Sequence, residues 1–347
     1  MTGTEFVSVI AGGREYSGWT GCSWSAALNE ACRTFQVDTT EHPGEYNFPP
    51  GTPVQLLATG DLVCDGYVNR YHSSGAATAH TVNIAGRSKA QDFYDSSAVH
   101  PKGFAKDKTA AEFAQELDRF GVGINAKVKL PKIPMQQIAQ GERCFRCIER
   151  SLRSAGATQM GEADGSISIT NASVAMRATG ALIEGVNILE WSVDFDDQQR
   201  MSDYTVKGQN RHGTGEESLR IKEESQDSGV GRYRPRVIVH ETDTDKSRAR
   251  ERATHEKERC AGNGVRAQVT VQGWRDDGGK LWTPNTIIFV SSPILMHLVQ
   301  DMLIERVDAE QSSDGGTTAR LGLVDPRAYR GRGQNGAGSA AAWNAGM

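Results

Sequence analysis

Apolar and polar residues alternate along most of the first hundred positions of the chain. "FVSVIAGGREYSGW" reads as a strand, a Gly-Gly turn and a second short strand, and "CRTFQVDTT", "TPVQLLATG", "CDGYVNRYH" and "HTVNIAG" follow between Gly, Pro, Asn and Ser turn residues. In the last of these, His80, Val82 and Ile84 fall on one face and Thr81, Asn83 and Ala85 on the other. That is the pattern of half-buried antiparallel strands. Residues 1–97 are therefore expected to form a first β-barrel.

The period changes after residue 97. In "TAAEFAQELDRFG", Thr109 and Glu112 stand at capping-box spacing, Phe113, Leu117 and Phe120 form a helical stripe, and Gly121 ends it. "GERCFRCIERSLRSAG" places Phe145, Ile148, Leu152 and Ala155 on one helix face and stops at Gly156, and "EADGSISIT" then turns into a strand. Residues 98–182 are read as an α/β module.

Strand patterning returns over 183–212, where Ile188, Glu190, Ser192 and Asp194 oppose Leu189, Trp191, Val193 and Phe195. It resumes over 263–330 in "RAQVTVQGW", "NTIIFVSS", "DMLIERVDA" and "ARLGLVDP", so these two stretches are expected to make a second β-barrel. Between them, residues 213–262 hold eleven basic and eleven acidic residues, a solvated face. Their helix, "DKSRARERATHEKERCAG", offers a narrow seam at Ala249, Ala253 and Cys260. Residues 331–347, which include Trp343, read as a flexible tail.

The two β regions resemble each other. "DGYVNRYHSSGAATAHTVNIAGRS" lies on "DMLIERVDAEQSSDGGTTARLGLVDPR" as strand, polar loop, strand and abrupt turn. With a loop three residues longer in the second copy, Val82 and Ile84 fall on Leu321 and Leu323. The expected fold is mainly β with α+β inserts: two similar antiparallel barrels, a smaller α/β module and a charged helix.

Composition narrows the function. Among 347 residues, 39 basic against 43 acidic side chains leave a net charge of −4, so no general basic field exists to hold nucleic acid. Glycine, at 38 residues, exceeds the usual ~7% and fits many turns between short strands. No run approaches the ~20 apolar residues of a membrane span, and the N-terminus lacks the charged and apolar regions of a secretory signal. Cys22, Cys32, Cys64, Cys144, Cys147 and Cys260 are scattered as reduced thiols would be.

The candidate chemistry is thin. "TVNIAGRSKAQDFYDSS" runs strand, glycine, Ser-Lys and helix start, the ingredients of a phosphate cradle. It has one glycine where a phosphate loop needs several, and its strand belongs to a meander. Gly86 is read instead as the exit turn of the first barrel. Cys144-x-x-Cys147 has no second pair at zinc spacing and sits on an apolar helix stripe. In "HETDTDK", His240, Glu241, Asp243 and Asp245 offer hard ligands, but Asp243 and Asp245 stand where a helix cap belongs. No G-x-S-x-G or H-E-x-x-H occurs, and carboxylate pairs such as Asp194 and Asp196 belong to any acidic strand. The expectation is no catalytic, metal or cofactor site. Arg87, Lys89 and Asp92 become candidates for contacts between or within subunits.

Five strings in order carry a family resemblance. "VSVIAGGREYSGWTGCSWSAALNEACRTFQVDTTE", "CDGYVNRYHSS…HTVNIAGRSKAQDFYDSSA", "GERCFRCIERSLRSAGATQMGEADGSISIT", "VDFDDQQRMSDYTVKGQ" and "GWRDDGGKLWTPNTIIFVSSP…MLIERVDAEQSSDGGTTARLGLVDPRAY" resemble the baseplate hub proteins of Mu-like contractile-tailed phages. This is the tail protein P family, related to late-control-D-type hubs and to the hub part of type VI secretion spike proteins. The resemblance implies tail-tube-like barrels, two per subunit, in a homotrimeric pseudo-hexameric ring that joins the tail tube to the spike. It implies tail spike, tail tube, other baseplate proteins and tape-measure protein as partners, and DNA only as passing cargo during ejection. A virion structural protein made in the host bacterial cytoplasm, without enzymatic activity or membrane insertion, is the expectation. The hub of a phage-derived secretion or tailocin particle is the alternative within this class. A tail-tip cell-wall-degrading enzyme is the alternative outside it, and it would need paired carboxylates across a cleft.

Overall fold

The computed structural model describes residues 4–40, 48–76, 79–153, 155–210, 219–240 and 244–335. Alternation builds its first unit. β1 (Val7–Ala11) and β2 (Arg14–Tyr16) flank Gly12 and Gly13, whose φ values of 56° and 76° are open to glycine at little cost. β3 (Gly21–Ala27), β4 (Thr34–Thr39), β5 (Pro53–Ala58), β6 (Asp61–Ala76) and β7 (Ala79–Ser88) follow, paired in the order β3-β4-β7-β6-β5-β1-β2. Val82 and Ile84 are buried as their period required.

A short helix, α1 (Gln91–Asp95), leads into the middle module. This holds β8 (Phe104–Lys108), α2 (Ala110–Leu117), β9 (Ile124–Ala126), β10 (Ile133–Gln137), α3 (Cys144–Arg153), β11 (Thr158–Gly161) and β12 (Ile167–Thr170). Phe113, Leu117, Ile148, Leu152, Ile167 and Ile169 give it a core of its own. The capping box of α2 is complete: the Glu112 N–H donates to Thr109 Oγ1 at 3.2 Å, and the Thr109 N–H to Glu112 Oε2 at 2.7 Å. Thr109→Ala is therefore expected to cost about 1 kcal/mol in urea unfolding. An unchanged midpoint would show that tertiary packing alone holds α2. The helix stops earlier than its stripe foretold. The Asp118 carboxylate accepts from the N–H groups of Phe120, Val122 and Gly123, which turns the chain and leaves Phe120 42% exposed while Val122 is buried.

β13 (Met176–Ile183) returns to the large sheet, parallel to β19 (Thr286–Ser292). The stretch 183–212, expected to lie wholly in the second β unit, divides. β14 (Glu190–Phe195) pairs with β18 (Val265–Gln272), but β15 (Asp203–Gly208) joins β16 (Ile221–Gln226) and β17 (Pro235–Val239) in a separate three-stranded sheet. β16 and β17 lie in the charge-dense segment: Lys222 and Glu224 take the outer positions of β16, while β17 turns Val237 and Val239 outward and Arg236 toward the sheet's covered side, so neither shows a plain apolar-polar alternation. α4 (Lys246–Asn263) covers this small sheet, setting Ala249 and Ala253 on Val206 and Ile221. Its seam is narrow because only small residues let the helix approach.

The second β unit is completed by β20 (Leu298–Ser312) and β21 (Gly316–Val324), in the order β14-β18-β21-β20-β19-β13. Neither unit closes into the barrel expected from the sequence. β20 changes neighbours midway: Leu298–Ile304 pair with β19, and Arg306–Ser312 pair with β3 of the first unit. One open 13-stranded sheet results. The apolar faces of both units share one core, in which Trp24 meets Trp274 edge to face at 6.0 Å. At the far side Arg275 joins the units by bonding Glu5, Asp61 and the Ala58 carbonyl. The expected tail is docked where it begins: the N–H groups of Gln334 and Asn335 donate to Asp301 Oδ2 at 2.7 and 2.9 Å. Trp343 lies outside the described residues.

Candidate assembly surface

The sequence singled out Arg87, Lys89 and Asp92 at the end of the first β unit. Arg87 closes β7, opposite Thr34 and Tyr67, and donates to Asp95 of α1 at 2.6 Å. Burial works against its charge, but the Asp95 bond and carboxylate outweigh it and hold the guanidinium above its ordinary range. Lys89 donates to the buried Asp65 at 2.6 Å. Asp92 stands exposed in the first turn of α1. The three side chains thus form no common pocket, and two of them are engaged within the chain.

Gly86 is not the exit turn. It sits inside β7, paired with Phe35 and Val68, and a Cβ there would meet the Tyr67 carbonyl oxygen at 2.3 Å and the Phe35 ring at 2.4 Å. Glycine is needed because an aromatic ring and a backbone both approach it. The phosphate cradle fails for the same reason: Gly86 is locked into the sheet on both sides.

No group of three or more metal-ligating side chains converges among the described residues. Cys144 and Cys147 are buried on α3, and burial pushes their thiols up to about 11 and about 12, far from a reactive thiolate. Asp245 caps α4, accepting from the Arg248 N–H at 2.9 Å; Glu241 and Asp243 lie outside the described residues. A shallow groove of about 510 Å³ crosses the polar face of the sheet, lined from both units by Ser25, Gln36, Arg87, Asp308 and Arg320. Its mixed charges lie on a sheet surface rather than across a cleft.

What the structure adds is a repeat. The hairpins β6-β7 and β20-β21 each carry one register break, between Val68 and Arg70 and between Ile304 and Arg306. Laying the breaks together makes Asp65 correspond to Asp301 and Ile84 to Leu321, with Val82 on Ala319. The second loop is one residue longer, not three, so the sequence register was off by two. The faces survived, because a shift of two preserves strand parity. Asp65 and Asp301 do the same work at equivalent positions: each is buried and holds the chain that leaves its hairpin, at Lys89 and at Gln334–Asn335. Beyond the hairpins, β3-β4-β7-β6-β5-β1 matches β14-β18-β21-β20-β19-β13 strand for strand, except that β13 runs parallel to its neighbour.

Comparison with known proteins decides what this repeat belongs to. Residues 6–88 match the family described as Mu phage baseplate assembly protein GpP-like, N-terminal; residues 90–171 match baseplate hub protein gp44-like, second domain; and residues 245–331 match Mu phage baseplate assembly protein GpP, fourth domain. The chain belongs to the Mu-like baseplate hub family. It is 26% identical over 332 residues to the baseplate hub protein gp44 of Escherichia phage Mu, covering 92% of this chain and 87% of that protein. The 43 kDa tail protein of prophage MuSo2 from Shewanella oneidensis shares its structure with a TM-score of 0.81 and 28% identity, over 94% of this chain and 99% of that one. A tail protein from Neisseria meningitidis MC58 shares the fold, with a TM-score of 0.79 and 18% identity over 94% and 98%. In this hub protein the strand that unites the repeats, β3, was among those that the sequence did not reveal. Its "GCSWSAA" carries small and hydroxyl residues in place of a strong apolar alternation.

Proposed function

We propose that the chain is a structural hub of a contractile-tail baseplate, assembling as a homotrimer in which six β units form a pseudo-hexameric ring. The observation that carries this is the repeat: two units of one strand order, already joined side by side through β3 and β20. Repeating that joint around an axis uses six units, which three chains supply. The ring joins the tail tube to the spike and encloses the passage for tape-measure protein and DNA. Its lumen is the polar face of the sheet, where acidic Asp308 lies with basic Arg87 and Arg320 and no one-sided basic field holds a polyanion tightly. Of the three residues singled out by the sequence, Arg87 and Lys89 brace the turn through ion pairs within the chain, and exposed Asp92 is free of such a pair among the described residues and faces a neighbouring subunit in this reading. The protein does no chemistry in this reading, and its place is the virion tail.

Light scattering on the purified protein is expected to give three times the 37.6 kDa chain mass, with rings in negative-stain images. A monomer at every concentration would overturn the ring. Peptidoglycan turnover by the pure protein would overturn the structural role.

A further inference from the structure

The joint between the two β units leaves its own matching halves unused. Within the chain, Arg306–Ser312 of β20 pair with β3. The corresponding half of β6, Arg70–Ala76, pairs with β7 on one side and has no backbone partner on the other among the described residues. The strand corresponding to β3 is β14, which ends the sheet path with β18 as its one partner strand among the described residues. His72–Ala76 are exposed, as are Glu190, Trp191, Ser192 and Asp194. An edge of this kind is a template for another strand.

We propose that β6 of one subunit pairs antiparallel with β14 of a second copy of this chain, in the register set by the internal joint. The inference rests on the trimeric reading above and names the contact that would build it. The register follows from the repeat. Val37 and Val269 correspond, because they stand opposite Ile84 and Leu321, and so Cys22 corresponds to Trp191. The internal pairs Glu310↔Ser23, Asp308↔Ser25 and Arg306↔Ala27 then become Ser74↔Ser192, His72↔Asp194 and Arg70↔Asp196 between subunits.

The side chains agree with this register independently. A basic residue stands opposite an acid at two successive positions of the polar face, Arg70 with Asp196 and His72 with Asp194. The opposite charges of Arg70 and Asp196, with the imidazole of His72 placed to hydrogen-bond Asp194, favour one alignment over its neighbours. A slip of two residues loses one of these pairs, and a slip of one turns every side chain to the wrong face. On the other face Trp191, 42% exposed, stands opposite Gly75, where no Cβ obstructs the indole. Each chain carries one β6 edge and one β14 edge, so the contact is head to tail, the kind that makes a ring of three when successive rotations close.

Cysteine cross-linking tests the register. Directly opposite residues in an antiparallel pair have Cα atoms about 4.5 or 5.5 Å apart in alternation, within disulfide reach. Ser74→Cys/Ser192→Cys and Ser73→Cys/Val193→Cys sample both spacings. On mild oxidation, at least one of these double variants is expected to give covalent dimers and trimers on a non-reducing gel, at least tenfold above its single variants. The offset pair Ser74→Cys/Asp194→Cys, about 7–8 Å apart on the diagonal, is expected to stay near the single-variant level. Arg70→Glu is expected to weaken the trimer, and adding Asp196→Arg to restore it. A protein that is trimeric by light scattering yet yields no cross-link from either opposed pair would overturn the β6·β14 contact and leave the trimer standing. A monomer would overturn both.

Discussion

Trp274→Ala is expected to destabilise the protein by about 3–5 kcal/mol, and to loosen both β units together. The indole follows β18 in the second unit and is 1% exposed. It packs edge to face on Trp24 of β3 in the first unit, and its Nε1 donates to the carbonyls of Glu310 and Thr318 at 3.2 and 3.0 Å. Removing it empties a whole indole from the shared core and strips a donor from two carbonyls of the β20-β21 hairpin. Because the sheet is continuous, the damage crosses the joint. Amide hydrogen exchange is expected to quicken in β3 and β4 as well as in β18, β20 and β21. Exchange in β3 and β4 at the wild-type rate, with the second unit alone loosened, would mean that the units are independent domains merely in contact.

That continuity also explains which parts of the fold the sequence revealed. Local rules were legible: Val82 and Ile84 announced the buried face of β7, and Thr109 with Glu112 announced the start of α2. Barrel closure was not legible, because it depends on which strand lies beside β20 after Ile304, a pairing between residues nearly three hundred positions apart. β16 was hidden by the charges on its outer face, and β17 because its valines face outward while Arg236 takes an inner position. Gly86 was misread because glycine serves a turn and a close approach equally well, and only the Phe35 ring beside it tells the two apart. The charges at the end of β7 were visible in the sequence, and two of them, Arg87 and Lys89, pair within the chain with Asp95 and Asp65. The edges offered to a neighbour became visible only once the repeat was superimposed on its own pairing.

Acidification from pH 7 to pH 5 is expected to remove about 2 kcal/mol of stability through His255 alone. This side chain lies on the buried side of α4, against Gly156 at the end of α3 and beside Arg330 after the last 3₁₀ turn. Burial, chiefly, holds its imidazole down at about 4; the Arg330 charge adds to this, Glu256 opposes it, and Arg259 lowers it further. Its Nδ1 is buried without a hydrogen-bond partner, so no acceptor awaits a second proton. In the unfolded chain the group titrates near 6.5. Between these values the unfolded chain binds a proton that the folded one refuses, so stability is complete above about pH 6.5 and drains away toward about pH 4. The depressed carboxylates Asp227 and Asp301 act in a separate window, because theirs is lost only as pH falls below the ordinary carboxylate range. Urea titrations of the wild type and of His255→Gln at pH 7 and pH 5 separate the two. The variant is expected to start less stable and to change little between these pH values, whereas an equal loss in both proteins would place the titrating group elsewhere. The consequence for assembly is specific: α4 and the Arg330 turn are fastened by a neutral histidine, so acid is expected to release this corner before it breaks the sheet that carries β6 and β14.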